Sequence, residues 1–302
     1  GKKFETFELS YVIDNFVRNK EFGIIPTDSL VLTVDKAAVL RSGMKLPNGK
    51  DSIPDKMVIS LAGKNALYKN DLMMLEMIAQ CNWTRPIYVA LNMGEDNYMN
   101  LGKNFVQEGL ASRITPFTTN AHGAKNFDTE KTYRNMMTRY KYGGLSKPGL
   151  YIDETVMRMC YTHRRLFGQL ALQLIAEGKT EKALKVLEKA EKEIPEYNVP
   201  MNYMSGGTDI AKAYALLGKK KEALKCINTI WNDAAQYERY YQSLTGIRFI
   251  QAQRDCMVQM SILDQVHNIT ELVDKKLAAK QKAQLDNFYR TYIGKGGRFE
   301  QE

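Results

Sequence analysis

Two hydrophobic periods follow one another along this chain, and the change of period divides it near residue 150. In the front part, Phe4, Phe7, Tyr11, Ile13, Phe16 and Val17 recur at helical spacing. The β-branched run 30–34 (Leu-Val-Leu-Thr-Val) predicts a strand, and 57–61 (Met-Val-Ile-Ser-Leu) predicts a second. Between them Gly43, Pro47, Asn48, Gly49 and Pro54 mark 39–54 as loop. Asn70 and Asp71 can cap a helix whose apolar face is Leu72, Leu75, Met77, Ile78 and Ala79. The run 86–91 (Pro-Ile-Tyr-Val-Ala-Leu) does not alternate, so it reads as a strand buried on both faces. A fourth strand is expected over 110–117. Residues 118–150, punctuated by Asn120, Gly123, Gly143, Gly144 and Gly149, read as a connector with one helical piece near 132–140.

Behind the connector the pattern is helical and repeats. Phe167, Leu170, Ala171, Leu174, Gly178, Ala183, Leu187 and Ala190 fall in order; Ile210, Ala211, Tyr214, Gly218, Ala223, Ile227 and Ile230 reproduce most of that order. Leu170 and Ile210, Gly178 and Gly218, and Ala183 and Ala223 are each separated by 40 positions. Such a register is the signature of tetratricopeptide repeats, helix pairs of about 34 residues, with an insertion of about six. The insertion falls at 196–206, which holds Pro200 and ends at the pair Gly206-Gly207. Small residues at 171 and 183 let antiparallel helices approach, and the glycines at 178 and 218 end the first helix of each pair in a left-handed cap. A third, degenerate pair is expected over 237–266 and 269–292, with Ile247, Ile250, Met257, Met260 and Leu263 on one apolar face, acting as a cap for the array. The segment 294–298 (Gly-Lys-Gly-Gly-Arg) reads as a frayed tail.

Composition changes this picture little. The 302 residues, 44% hydrophobic and 25% charged, are those of a globular chain long enough for two domains. No uncharged apolar run approaches the roughly 18 residues that span a bilayer. The net charge of +9 is spread over both halves rather than gathered on one segment, which argues against a nucleic-acid partner. Cys81, Cys160, Cys226 and Cys256 have neither CxxC nor metal-ligand spacing, and read as small buried apolar positions. His122, His163 and His267 are scattered and read as loop or surface residues, so no metal and no cofactor is expected. Nucleophile elbow, phosphate loop and dinucleotide fingerprint are all missing.

Two places in the front part carry candidate chemistry. Glu95 and Asp96 follow a strand end, where α/β sheets present functional groups. Trp83, Arg85 and Tyr88 could form a stacked aromatic–guanidinium wall beside them, making a ligand cleft; alternatively Trp83 and Tyr88 plug the sheet against the preceding helix. In the repeats, polar residues of the first helices not needed for packing (Arg164, Gln169, Gln173, Asp209 and Lys212) are candidates for gripping an extended peptide along a concave groove.

Several blocks carry a resemblance. Residues 68–75 (YKNDLMML), 82–88 (NWTRPIY), 94–98 (GEDNY), 107–111 (QEGLA) with Arg113, 142–145 (YGGL), and the repeat segment through 198–200 (NVP) resemble a run in large Bacteroidetes integral-membrane proteins. Those proteins are similar to protein O-mannosyltransferases that use lipid-phosphate sugars. Their membrane helices come first, and a soluble region ending in tetratricopeptide repeats comes last. The resemblance implies that this chain is the extracytoplasmic, periplasmic part, with a front module lacking its first strands, and that its partners include its own membrane-embedded N-terminal half. No position here matches the membrane-loop aspartate of such transferases, so no catalytic residue is carried over. Ser29 and Ser52, in Asp28-Ser29-Leu30 and Asp51-Ser52-Ile53, resemble the Bacteroidetes O-glycosylation acceptor pattern and are expected in accessible loops.

The expectation is therefore a mixed α+β chain: an α/β module over 1–117, a connector over 118–150, and an all-α repeat domain over 151–302. Its function would be non-catalytic: binding a protein or peptide beside a membrane glycosyltransferase. Two alternatives stay open, a sugar- or metal-binding enzymatic site in the front module and a structural scaffold for oligomerisation.

Overall fold

The computed structural model describes residues 6–19, 24–47, 52–118 and 126–298. It divides the chain into two units, Gly1–Asn135 and Met136–Glu302. The first is a small α/β module with two sheets and the second is helical.

In the first unit β1 (Phe7–Glu8) leads into α1 (Leu9–Val12), prolonged by a π-turn over Ile13–Val17. The helical spacing noted from residue 4 thus begins as a strand, and residues 4 and 5 lie outside the described residues. β2 (Ser29–Thr33) pairs parallel with β1. A short α2 (Lys36–Arg41), capped by the Asp35 carboxylate accepting from the Ala38 amide, occupies the start of the stretch read as loop. β3 (Lys56–Ser60) closes a three-stranded sheet antiparallel to β2. α3 (Lys69–Cys81) has Tyr68 as its N-cap, whose amide donates to the Asp71 carboxylate at 2.9 Å, so Asp71 is the third helical residue of a capping box rather than the cap itself.

The second sheet of this unit is four-stranded in the order β4-β6-β5-β7, from β4 (Tyr88–Ala90), β5 (Phe105–Gln107), β6 (Ala111–Ile114) and β7 (Asn126–Phe127). β4 corrects the doubly buried strand: Val89 is buried while Tyr88 and Ala90 are exposed, because only β6 pairs with it and one face meets the core. Both sheets and α3 contribute to one core, with Leu30, Ile59, Leu75, Ile78, Met99 and Ile114 almost fully buried. α4 (Thr129–Arg134), capped by Asp128, and a π-turn over Asn135–Arg139 form the helical piece expected near 132–140.

The second unit holds the helix pairs: α5 (Glu154–Ala176) with α6 (Thr180–Glu193), and α7 (Gly207–Leu216) with α8 (Lys220–Ser243). Gly178 and Gly218 adopt φ of +74° and +70° just past the first helices, as the repeat logic requires. Ala171, Ala183, Ala211 and Ala223 are all buried where the helices touch. α9 (Gly246–Glu271) and α10 (Lys275–Gly294) form the third pair. Its bounds differ from those expected, since α8 runs on through Ser243. Its buried face also differs. Met260 and Leu263 are buried as expected and Met257 is half-buried, but Ile247 and Ile250 are exposed, and Phe249, Ala252 and Cys256 take their place in the core. The glycine tail is not frayed as far as residue 298: the Gly297 amide donates to the Tyr292 carbonyl, and the Tyr292 hydroxyl to the Arg298 carbonyl.

Candidate functional site

First helices of successive pairs pack on one another, α5 against α7 and α7 against α9, which builds the inner wall of the array. The α5–α7 approach is closest at Gly168, where a Cβ would stand 2.7 Å from the Asp209 Cβ. Along this wall Gln169, Gln173 and Asp209 are half-buried and Lys212 is exposed. In the 40-residue register Gln169 and Asp209 are counterparts, so polar side chains line corresponding positions of adjacent repeats. Gln173 also donates to the Glu177 carboxylate at 3.5 Å.

Arg164 does not belong with them. It is only 1% exposed, and its guanidinium donates to the carbonyls of Ile194 (2.8 Å), Val199 (2.5 Å) and Pro200 (2.8 Å). Burial lowers its pKa to about 10, still well above neutral. Arg164 is therefore the peg that holds the insertion in place. A second peg works from the insertion outward: Asn198 donates to the carbonyls of Leu145 (2.7 Å) and Lys147 (2.6 Å), and the Tyr197 hydroxyl to that of Ser146. Tyr142 packs its ring on Phe167 and His163. Residues 136–149 thus fold onto the first pair, and the blocks at 142–145 and 198–200 meet.

A cavity of about 230 Å³ lies under this insertion, lined by Glu191, Glu196, Lys225, Met201, Ile210 and Cys226 among others. Lys225 and Glu196 pair across it at 3.1 Å. Burial pushes the Cys226 thiol up to about 12, so it is not a thiolate nucleophile at neutral pH. Cys256 is pushed to about 12 by the same cause.

In the front unit the proposed aromatic–guanidinium wall is not assembled. Asn82 and Trp83 take φ of +31° and +69° at the end of α3, turning the indole into the core, where it is 4% exposed. The turn is held by the Asn82 side chain, which accepts from the Asp35 amide and donates to the Thr33 carbonyl. Arg85, Glu95 and Asp96 are exposed, the two acids within a single 3-10 turn. Among the described residues no group of His, Cys, Asp and Glu comes together in a way that could hold a metal ion.

What sequence reasoning missed is Glu108. Its carboxylate is buried, accepts from the Tyr88 hydroxyl at 2.5 Å, pairs with Lys131 at 2.5 Å and lies 3.9 Å from Arg113. Arg113 in turn donates twice to the Ser42 carbonyl. Burial and the Glu108 carboxylate raise the Tyr88 pKa, so the phenol stays protonated and donates. The group ties β4, β6 and α4 together around the turn at Glu108–Ala111, where Gly109 sits at φ +119°. Its chemistry is that of a buried ion pair: Tyr88 and Lys131 engage the Glu108 carboxylate, while the buried Arg113 Nε lacks a hydrogen-bond partner.

The other predicted positions are placed as follows. Ser29 is half-buried and opens β2, where its amide bonds the Thr27 hydroxyl, so it is not in a loop. Ser52 is half-buried beside Ile53. His163 is half-buried on α5 and His267 buried on α9, so neither is a surface residue, and His122 lies outside the described residues.

Residues 174–246 match the model of the tetratricopeptide repeat, so the helical unit carries a protein-interaction architecture of the kind that commonly binds protein partners. Residues 5–131 match the model described as TMEM260-associated domain 2; the two together are consistent with a TMEM260-like family carrying tetratricopeptide repeats. Neither a curated protein nor a solved structure matches the chain.

Proposed function

We propose that this chain is a non-catalytic, extracytoplasmic accessory region of a membrane glycosyltransferase, and that its repeat array holds an extended protein segment for the membrane-embedded half to modify. The observation that carries this reading is the inner wall of the array. Gln169 and Asp209 stand at corresponding positions of the adjacent first helices α5 and α7, with Gln173 and Lys212 one turn further along each, while Arg164 is the residue that holds the insertion. The glycosyltransferase context and the periplasmic side rest on the sequence resemblance given above, to which the match at 5–131 adds the front module. The non-catalytic role is supported by the burial of Glu108 and by the raised thiol of Cys226. No helix among the described residues is long and apolar enough to cross a membrane, so any spanning part would come from another segment.

The test is sugar transfer from a lipid-linked donor by the complete membrane protein, comparing the native groove with Lys212→Glu combined with Gln173→Ala. The expected result is a raised KM for protein acceptor with kcat held, because acceptor capture and not chemistry is altered. Unchanged kinetics would contradict the groove, and turnover by residues 1–302 alone would contradict the non-catalytic role.

A further inference from the structure

The third helix pair ends in a surface that the groove does not use. Lys295 donates to the Leu244 carbonyl at 2.8 Å and stands 5.1 Å from the centre of the Phe249 ring. Gln253 reaches the Gly296 carbonyl, and Phe249 packs edge-on against Tyr292. The α8–α9 turn, the first turns of α9 and the end of α10 therefore lie together at one end of the unit. Five exposed cations gather there: Arg239, Arg248, Arg254, Lys295 and Arg298. Residues 239–254 and 290–298 contain no Asp or Glu, and Asp255 is the first carboxylate after them on α9. Among these cations Ile247 is 71% exposed, Ile250 65%, Ile293 57% and Tyr240 58%.

We propose that this end of the array docks on an anionic bilayer surface, the arginines meeting lipid phosphates and the three isoleucines entering the boundary of the acyl layer. Three features select a bilayer over an acidic peptide. Branched aliphatic side chains stand out from a helix-hairpin end, which projects into a partner rather than receiving one. Guanidinium groups around them match a plane of phosphates. Tyr240, apolar in body and polar at its tip, has the character of a side chain at the headgroup level. Apolar residues ringed by cations on a helical surface are the composition of interfacial membrane contacts. The inference does not depend on the groove reading, since none of these residues lies on α5 or α7.

The experiment is co-sedimentation of the 302-residue chain with vesicles of phosphatidylcholine alone and of phosphatidylcholine mixed with phosphatidylglycerol. The chain is expected to sediment with the mixed vesicles only, and less so as salt is raised. Arg248→Ala and Arg254→Ala should each weaken partition by about five-fold. Ile247→Ser with Ile250→Ser should remove the binding that persists at high salt, with an unchanged circular dichroism spectrum showing that these exposed changes leave the fold intact. Lys212→Glu should leave vesicle binding as it was, which separates this proposal from the groove. Equal sedimentation with both vesicle types, indifference to the four surface changes, or binding to poly-glutamate with none to vesicles would each overturn it.

Discussion

Single side chains decide much of the second unit's stability, and two of them make opposite kinds of prediction. Arg164 satisfies three carbonyls from a fully buried position, two in the insertion (Val199 and Pro200) and one at the end of α6 (Ile194). Arg164→Ala should cost about 3 kcal/mol, since carbonyls are left without donors in a dry site. Arg164→Lys should recover only part of that cost, because one ammonium cannot reproduce the fork. Chemical denaturation reads the loss, and limited proteolysis should show new cleavage within 195–206. Glu238 is buried on α8 with one carboxylate oxygen accepting from Gln242 and the other without a partner. Burial raises its pKa from 4.5 to about 7, while Gln242 pulls weakly the other way. The folded chain thus holds a proton that the unfolded chain releases between those values. The resulting stabilisation, up to about 3 kcal/mol, is present below pH 4.5 and is lost as pH rises through 7. A melting temperature that falls from pH 6 to pH 8, with Glu238→Gln flattening the fall and melting higher at pH 8, is the expected result.

Elements show where the sequence was legible and where it was not. The repeat register could be read because helix caps and small contact residues recur at fixed spacing, and Gly178, Ala183, Gly218 and Ala223 do what that spacing implies. β5 and β7, three and two residues long, are too short to show a period, and the three residues of β4 were misread as buried because flanking Ile87 and Leu91 hid the alternation. In the third pair, exposed Ile247 and Ile250 imitated a core stripe, which displaced the apparent apolar face from Phe249 and Ala252. The Glu108 group was illegible for a different reason: its partners Tyr88, Arg113 and Lys131 come from β4, β6 and α4, and sequence spacing does not bring them together. Of the groove residues, Arg164 carried no sign that its charge was already taken, since its acceptors are backbone carbonyls. The insertion itself offers a paired test. Gly206 adopts φ +75° with a Cβ position 2.5 Å from the Arg165 backbone, whereas Gly178 has φ +74° and open space. Gly178→Ala should cost about 1 kcal/mol from conformation alone. Gly206→Ala should cost at least about 3 kcal/mol, because main chain must also move. Equal losses in urea denaturation would remove the close approach from the account.

At the scale of the whole molecule, the unit boundary at Asn135/Met136 puts 136–150 with the helices rather than between domains. Tyr142 on Phe167 and Asn198 on the 145 and 147 carbonyls give the physical reason. A fragment starting at 136 should therefore fold and melt as one cooperative unit, and one starting at 151 should be less stable by about 2 kcal/mol through exposed Phe167 surface and an unpaired buried amide. The central claim is that the inner wall of the array holds a protein segment beside a membrane transferase. It is tested most directly by placing a photo-crosslinking amino acid, one position at a time, at 173, 212 and the exposed position 185 on the outer helix α6, in cells making the complete membrane protein. The account predicts that positions 173 and 212 yield the same covalent protein adduct, that Lys212→Glu abolishes the adduct at 173, and that position 185 yields none. Equal labelling at 185, or no adduct at 173 and 212 in cells where sugar transfer is proceeding, would contradict it.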